Sequence, residues 1–444
     1  MKKSLIPFVA VFISLSLLQI PVSASSDLMK NRKEIIVKYT NETELTTNIA
    51  INAIKQKLKP QKLERKKIIA GSHSKLELLE TGADDDINYI AEALSKEENV
   101  EFAVPNHKIT LSPVNYRKEP KKPNDPMFKK QWGLQNTGQS IEKQKGTLGI
   151  DIDILKAWQI TKGSPNVVVG VLDTGIDINH NDLNNKFFIN KLEESNNGKD
   201  NDENGYTGDL NGWDFANDDN TVFDDLYEDS HGTHVTGIIA AESGNSIGVS
   251  GVAPNIKILP LKFISFDGGY IADAIEAIEY AEKLGVKIIN CSWSGPEYNE
   301  ALKYTIENSD ILFVCAAGNN TSDISMFPVY PASYDLPNVI SVAAVNNNGG
   351  LCSFSNYGSK VNVAAPGEKV ISTLPNNQYA FEDGTSMAAP FVTGIAALLK
   401  SYNSKLTPEQ MKNIIINNGK KINQLTDYVG SGGIVNAYLT LSSI

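Results

Sequence analysis

Four polar residues stand where their types and surroundings could do chemistry. Asp173 closes the apolar run NVVVGVLD and Asn319 closes DILFVCAAGN. His231 opens HGTHVTGIIAA and Ser386 lies in GTSMAAPFVTGIAALLK, two small-residue apolar stretches that read as buried helices. Asp, His, Ser and Asn are the types that amide hydrolysis by a serine nucleophile requires. A hydroxyl is too weak a nucleophile at neutral pH until an imidazole takes its proton, and the imidazole needs a buried carboxylate to hold its tautomer and support its cation. An amide donor then holds the developing oxyanion. Pro390 has no N–H to give and is best tolerated in a first turn, so the spacing predicts a helix that starts next to Ser386, with its positive end beneath the hydroxyl.

The elements that must position these residues are legible as apolar runs alternating with amphipathic stretches. Residues 166–173, 286–293, 310–319 and 338–345 are continuously apolar, as strands buried on both faces of a parallel sheet must be. Between them, residues 272–285 repeat Ile, Ala and Tyr every three or four positions and stop at Gly285, and residues 301–309 read as a second helix. The pattern predicts an α/β fold with a doubly wound, mainly parallel sheet, in which a site belongs at the carboxyl ends of the strands. Asp173 and Asn319 are at two such ends.

The N-terminal third reads differently. Lys2 and Lys3, an apolar run from Leu5 to Ile20 and the small-residue sequence Val22-Ser23-Ala24 predict a signal peptide over 1–24, cleaved after Ala24. The alternative is an uncleaved anchor, but the run is short, and no later segment reaches about 18 consecutive apolar residues. Secretion without a stable membrane anchor is the expectation. Residues 34–39, 67–70, 75–79 and 100–104 read as strands and 47–58 and 85–95 as helices, the order of a small α+β, ferredoxin-like unit over 25–112. The Pro- and Lys-rich stretch 113–126 reads as an exposed linker open to proteolysis, followed by one large domain over 127–444.

Composition narrows the class. With 444 residues, 41% hydrophobic and 21% charged, the chain is an ordinary globular one, neither disordered nor low in complexity. A formal charge of −11 opposes the counterion release on which nucleic-acid binding relies, so nucleic acid is excluded as a partner. The excess carboxylate lies beyond residue 120, where it suits either a solvated surface or calcium, a hard cation that takes oxygen ligands. The three cysteines, Cys291, Cys315 and Cys352, have apolar neighbours and no CxxC spacing, and read as buried small hydrophobes. Restraint must come from something other than disulfides.

VLDTGID (171–177), HGTHVTG (231–237), AAGN (316–319) and GTSMAAP (384–390) resemble, in order, the signatures of the subtilisin-like serine peptidases. The resemblance spans roughly 120–444 and implies roles residue by residue: Asp173 orients His231, His231 is base and then acid, Ser386 attacks, and Asn319 serves the oxyanion. His234 completes an HxxH spacing without the Glu of a zinc peptidase and, with His180, is expected to be structural. The resemblance further implies an extended polypeptide substrate held between SWSGP (Ser292, Trp293, Ser294, Gly295) and the segment around Gly268. Ser294 and Val329 stand where the family has smaller residues and should narrow the pocket; neither brings a buried charge.

Calcium has two candidate sites. By resemblance, Asp182, Asn245 and the backbone carbonyls of Ile247 and Val249 form one. The second, DNDENGYTGDLN (200–211), sets Asp200, Asp202 and Asn204 at the spacing of an EF-hand loop, with Asn211 in place of its closing Glu and Asp209 as a substitute ligand; a plain acidic loop is the alternative. No organic cofactor is expected. The domain before the linker resembles the family's propeptides, which act as chaperones and intramolecular inhibitors; a retained accessory domain is the alternative. The reading is a secreted, monomeric, calcium-stabilised serine endopeptidase made as an autoprocessed zymogen. A dedicated peptidase that removes the leader of one secreted peptide remains open beside it, and a catalytically silent binding protein of the same fold is the rival of another class.

Overall fold

The computed structural model describes residues 33–40, 44–70, 75–106, 122–194, 197–266 and 268–444. The expected signal peptide, 1–24, lies outside the described residues, as does most of the expected linker. Two compact units divide the chain, Met1–Tyr116 and Arg117–Ile444.

The first unit runs β1 (Glu34–Tyr39), α1 (Glu44–Leu58), β2 (Leu63–Ala70), β3 (Lys75–Thr81), α2 (Ile87–Leu94) and β4 (Val100–Pro105). Its four-stranded sheet has the order β2-β3-β1-β4, and its pairings β1 to β3, β1 to β4 and β2 to β3 are antiparallel. Alternation along β1 buries Ile35 and Val37 against Ile54 of α1 and Ile90 and Leu94 of α2. Asp86 caps α2 by accepting from the backbone N–H groups of Asn88 and Tyr89. β2 starts four residues before the predicted 67–70, because LERK is polar. As an edge strand it needs apolar contacts on one face only, which Leu63 supplies.

In the second unit the continuous apolar runs become β5 (Val168–Asp173), β7 (Ile288–Cys291), β8 (Leu312–Ala316) and β9 (Val339–Val345); β6 (Lys257–Lys262) and β10 (Val363–Pro366) join them. Neighbours run β10-β9-β8-β7-β5-β6, all parallel, extended at one side by Gly433–Ile434 and Lys420–Lys421 and at the other by Trp213–Asp214. Successive residues face opposite cores, as period two demands. Val169 and Val171 of β5 pack with α3 (Ser230–Ala240) and α6 (Thr385–Tyr402) on one face. Leu172 packs with α4 (Ile271–Lys283) and α5 (Glu300–Asn308) on the other. The sheet is doubly wound, as the sequence predicts. Cys291 and Cys315 stand opposite each other on β7 and β8, and these two and Cys352 are buried and unbridged.

Two features depart from the sequence reading. The predicted linker, 113–126, extends too far: residues 122–126 belong to the second unit, where Asp125 is buried and accepts from the backbone N–H groups of Gly244 and Asn245. Pro390 lies in the second turn of α6 rather than the first, although the helix begins beside Ser386 as expected. Lacking an N–H, Pro390 leaves the Ser386 carbonyl without its helical partner, and the Ser292 hydroxyl donates to that carbonyl instead at 2.8 Å. Among the described residues no helix is long and apolar enough to cross a membrane.

Candidate active site

Asp173 is the last residue of β5, and His231 is the second residue of α3. The fold sets them side by side: His231 Nδ1 lies 2.7 Å from Asp173 Oδ1, and the backbone N–H of Thr174 donates to the same oxygen at 2.8 Å. Asp173 is buried, and its other carboxylate oxygen has no hydrogen-bond partner among the described residues. The Nδ1 nitrogen therefore carries the proton, leaving Nε2 as the basic face. Burial alone would push the His231 pKa down, but the charge and hydrogen bond of Asp173, with a further contribution from the Glu382 charge, outweigh it and raise the pKa. The Thr174 hydroxyl accepts from the Gly232 N–H, tying the turn after Asp173 to the first turn of α3.

Ser386 is the second residue of α6, and its hydroxyl donates to the Ser292 carbonyl at 3.0 Å. Ser292 grips Ser386 twice, since its own hydroxyl holds the Ser386 carbonyl. A buried relay stands behind it: Thr393 donates to Asn290 at 2.7 Å, and Asn290 donates to the Ser292 hydroxyl oxygen at 2.8 Å. Asn319 follows Gly318, whose φ of +96° lets the chain turn sharply after β8. The Asn319 side-chain oxygen accepts from the Thr385 N–H at 2.9 Å and the Thr385 hydroxyl at 3.0 Å. With its oxygen fixed, its exposed NH2 group is left as a preset donor beside the start of α6. Thr385 at a helix start reads from sequence as an ordinary cap, whereas Thr174, Asn290 and Thr393 act through tertiary pairing that sequence does not signal.

The expected substrate-binding residues divide into lining and support. Ser292 is buried, and Trp293 is half-buried, packed edge-on against Phe263 at 5.0 Å between ring centroids. Ser294 is exposed and its hydroxyl approaches Gly318, so it faces the Asn319 turn. Gly295 exchanges two backbone hydrogen bonds with Tyr330, which brings Val329 to the same wall. Gly268 is exposed in a two-residue pairing with Ile264–Ser265, an edge that an extended peptide could continue. His180 and His234 are buried and hydrogen-bonded to the carbonyls of Gln378 and Ala380, which fits structural parts.

At the first calcium candidate, Asp182 is buried and meets Asn245 at 2.7 Å and the Val249 N–H at 2.8 Å. Asn245 turns its amide nitrogen to Asp182 while its oxygen accepts from the Ile247 N–H, and Val249 presents its N–H, so these groups meet as a hydrogen-bonded cluster. Burial raises the Asp182 pKa to about 6, with the like charge of Asp125 adding to the rise. Asp125, hidden from sequence reasoning inside the supposed linker, is the carboxylate that reading missed. Two neighbouring buried carboxylates of one sign suit a hard cation. At the second candidate, Asp200 and Asp202 come together with Glu193, their carboxylate oxygens lying within 4.8 Å of one another. Asn204 donates its amide to Asp202 and Asp209. Asp209 is buried and accepts from Tyr280 and from Asn190, whose amide also donates to Asp202.

Comparison with known proteins identifies the family. The profile described as Subtilase family matches residues 164–432. Thermitase of Thermoactinomyces vulgaris is 35% identical over 71% of this chain and 98% of its own length. A thermophilic serine proteinase of Bacillus sp. (strain AK1) is 35% identical over 74% of this chain and 69% of its own. The structure is similar to that of a protease from Pseudoalteromonas arctica PAMC 21717, with a TM-score of 0.59, 28% identity, and coverage of 73% of this chain and 99% of that one. With the matching profile spanning more than half of its residues, the chain belongs to the subtilase family of serine peptidases.

Proposed function

We propose that this protein is a secreted endopeptidase that cleaves peptide bonds through Asp173, His231 and Ser386, with Asn319 as oxyanion donor, and that it is made as a zymogen. The observation that carries the reading is the His231 to Asp173 pairing, with a buried carboxylate on Nδ1 and the opposite ring nitrogen left as base. In the reaction, Ser386 turns from the Ser292 carbonyl towards His231, gives up its proton and attacks the substrate carbonyl. Asn319 donates to the oxyanion, and His231 returns the proton to the leaving amine. A polypeptide lies extended along Gly268 and Ser294–Gly295, with Ser294 and Val329 narrowing the primary pocket. The unit over 25–112 acts as chaperone and inhibitor and is released by the enzyme's own cleavage in the linker that follows it.

Asn319→Ala tests the reading, because it keeps the nucleophile and base. Turnover on a peptide ester or anilide should fall on the order of a hundredfold or more, the magnitude familiar from subtilisin's own oxyanion residue, while KM changes little. An unchanged turnover number removes Asn319 from this role.

Calcium is proposed as a structural ion held by Asp182 with Asp125, where it would offset the cost of burying two carboxylates side by side, and more weakly by Glu193, Asp200 and Asp202. When bound it supplies restraint and takes no part in the chemistry. Millimolar calcium should raise the melting midpoint of the inactive Ser386→Ala protein over that in chelator, by about 2.7 kcal/mol of stability at a hundred times the dissociation constant. Asp182→Ala should remove most of that shift and Asp202→Ala less. An identical midpoint in chelator and in calcium would leave both clusters as protein hydrogen-bond networks only.

A further inference from the structure

Lys262 has no solvent-exposed surface and is ringed by acids. Its ammonium lies 3.6 Å from Asp214, 3.1 Å from Asp229 and 3.2 Å from Glu228, and it donates to Asp224. Asp214 and Asp229 are themselves fully buried. A lone buried ammonium is strongly disfavoured, so a lysine stays here only because these carboxylates replace water, and the two buried acids depend equally on it.

What this cage touches gives it a role. Lys262 ends β6 in register with Asp173 at the end of β5, and the next residue, Phe263, donates its N–H to the Asp173 carbonyl. Asp229 stands at the N-cap of α3, two residues before His231, yet its side chain caps nothing in that helix. One carboxylate oxygen accepts from the Gly175 N–H at 2.8 Å; the other accepts from the N–H groups of Asp224 at 2.6 Å and Asp225 at 3.1 Å. The approach to Gly175 is so close that a Cβ there would sit 2.5 Å from the Asp229 carboxylate. Asp229 thereby knots the turn after Asp173 to the start of the helix that bears His231. Lys262, 3.1 Å from the same carboxylate, sets a cation against it inside the fold.

We propose that Lys262 is a positioning residue for the His231–Asp173 pair, acting through Asp229. The inference rests on the catalytic reading above. Without the Lys262 cation the buried Asp229 carboxylate loses its charge partner, which loosens the knot between the Asp173 turn and the first turn of α3. The imidazole then loses its fixed approach to the nucleophile, while the peptide-binding edges at Gly268 and Ser294 keep their shape.

The test compares Lys262→Met, Lys262→Arg, Asp229→Asn and the Lys262→Met/Asp229→Asn double variant in the full chain, with rates expressed per active site titrated by a serine-directed phosphonate. The Met variant should lose tenfold to a hundredfold in kcat with KM within about threefold, and Arg, which restores a cation, should recover most of it. The double variant should be no worse than the poorer single one, since both break one link. Wild-type kcat in the Met variant, a loss confined to KM, or fully additive losses would each overturn the proposal. If the Met variant does not fold, Asp229→Asn alone decides: a fall in kcat at constant KM supports the knot and wild-type kcat refutes it. Failure of the catalytic reading itself would show separately, as turnover surviving in Ser386→Ala.

Discussion

Ser386→Ala should abolish hydrolysis and leave the precursor uncut between its two units. Without the hydroxyl no acyl-enzyme forms, and the expected loss in kcat is on the order of 10⁶, the magnitude established for the subtilisin nucleophile. The variant should fold normally. The hydroxyl's hydrogen bond is to the Ser292 carbonyl, and its loss costs about 1 kcal/mol at most, while the Ser292 grip on the Ser386 backbone carbonyl is untouched. Mass spectrometry of the full chain expressed in a host lacking other proteases reads the outcome. Appearance of a mature chain of roughly 320 residues from the variant would mean that another enzyme makes the cut in the segment between the units.

Asp173→Asn should lower kcat by about 10³ to 10⁴ while leaving substrate binding nearly intact. The Thr174 N–H donates to the same Asp173 oxygen that faces His231 Nδ1, so an Asn that keeps its oxygen there holds the ring in place but cannot offset the imidazolium charge. Its NH2 group falls where the carboxylate has a buried oxygen without a partner, adding an unsatisfied donor. The pH profile distinguishes loss of charge from loss of structure. In the native enzyme burial lowers the His231 pKa, and the Asp173 charge more than reverses this. Activity needs neutral His231 and rises as pH passes through that pKa. Removing the charge should therefore move the acid limb of kcat/KM to lower pH; an unmoved limb would deny Asp173 its electrostatic part.

How far the sequence disclosed this site follows from the physics of each part. Strands buried on both faces leave an uninterrupted apolar run, so 166–173, 286–293, 310–319 and 338–345 were readable, and with them the positions of Asp173 and Asn319. β6 was not, because Pro260 sits in the middle of KILPLK and proline argues against a central strand. The fold tolerates it because Pro260 lies between the two short stretches that pair with the outer edge of β6, at Phe187 and at Trp213–Asp214. With β6 went Lys262, a lysine that sequence alone assigns to the surface. Asp125 was hidden by its Pro- and Lys-rich surroundings, and Glu193 because the acidic loop at 200–211 gives no sign of a carboxylate from outside it.

The neighbours of β5 in the sheet come from far along the chain: β6 begins at residue 257 and β7 at residue 288. Such non-local parallel pairing is slow to form, since each closure costs chain entropy before contacts repay it. Asp173 meets His231 only when α3 docks on the finished centre of that sheet, and Ser386 arrives with a helix that joins after every strand from β5 to β10 has been synthesised. The groups proposed for hydrolysis therefore come together only once these long-range closures are made. A chain in which those closures are incomplete does not present these groups together and cannot hydrolyse its neighbours through them.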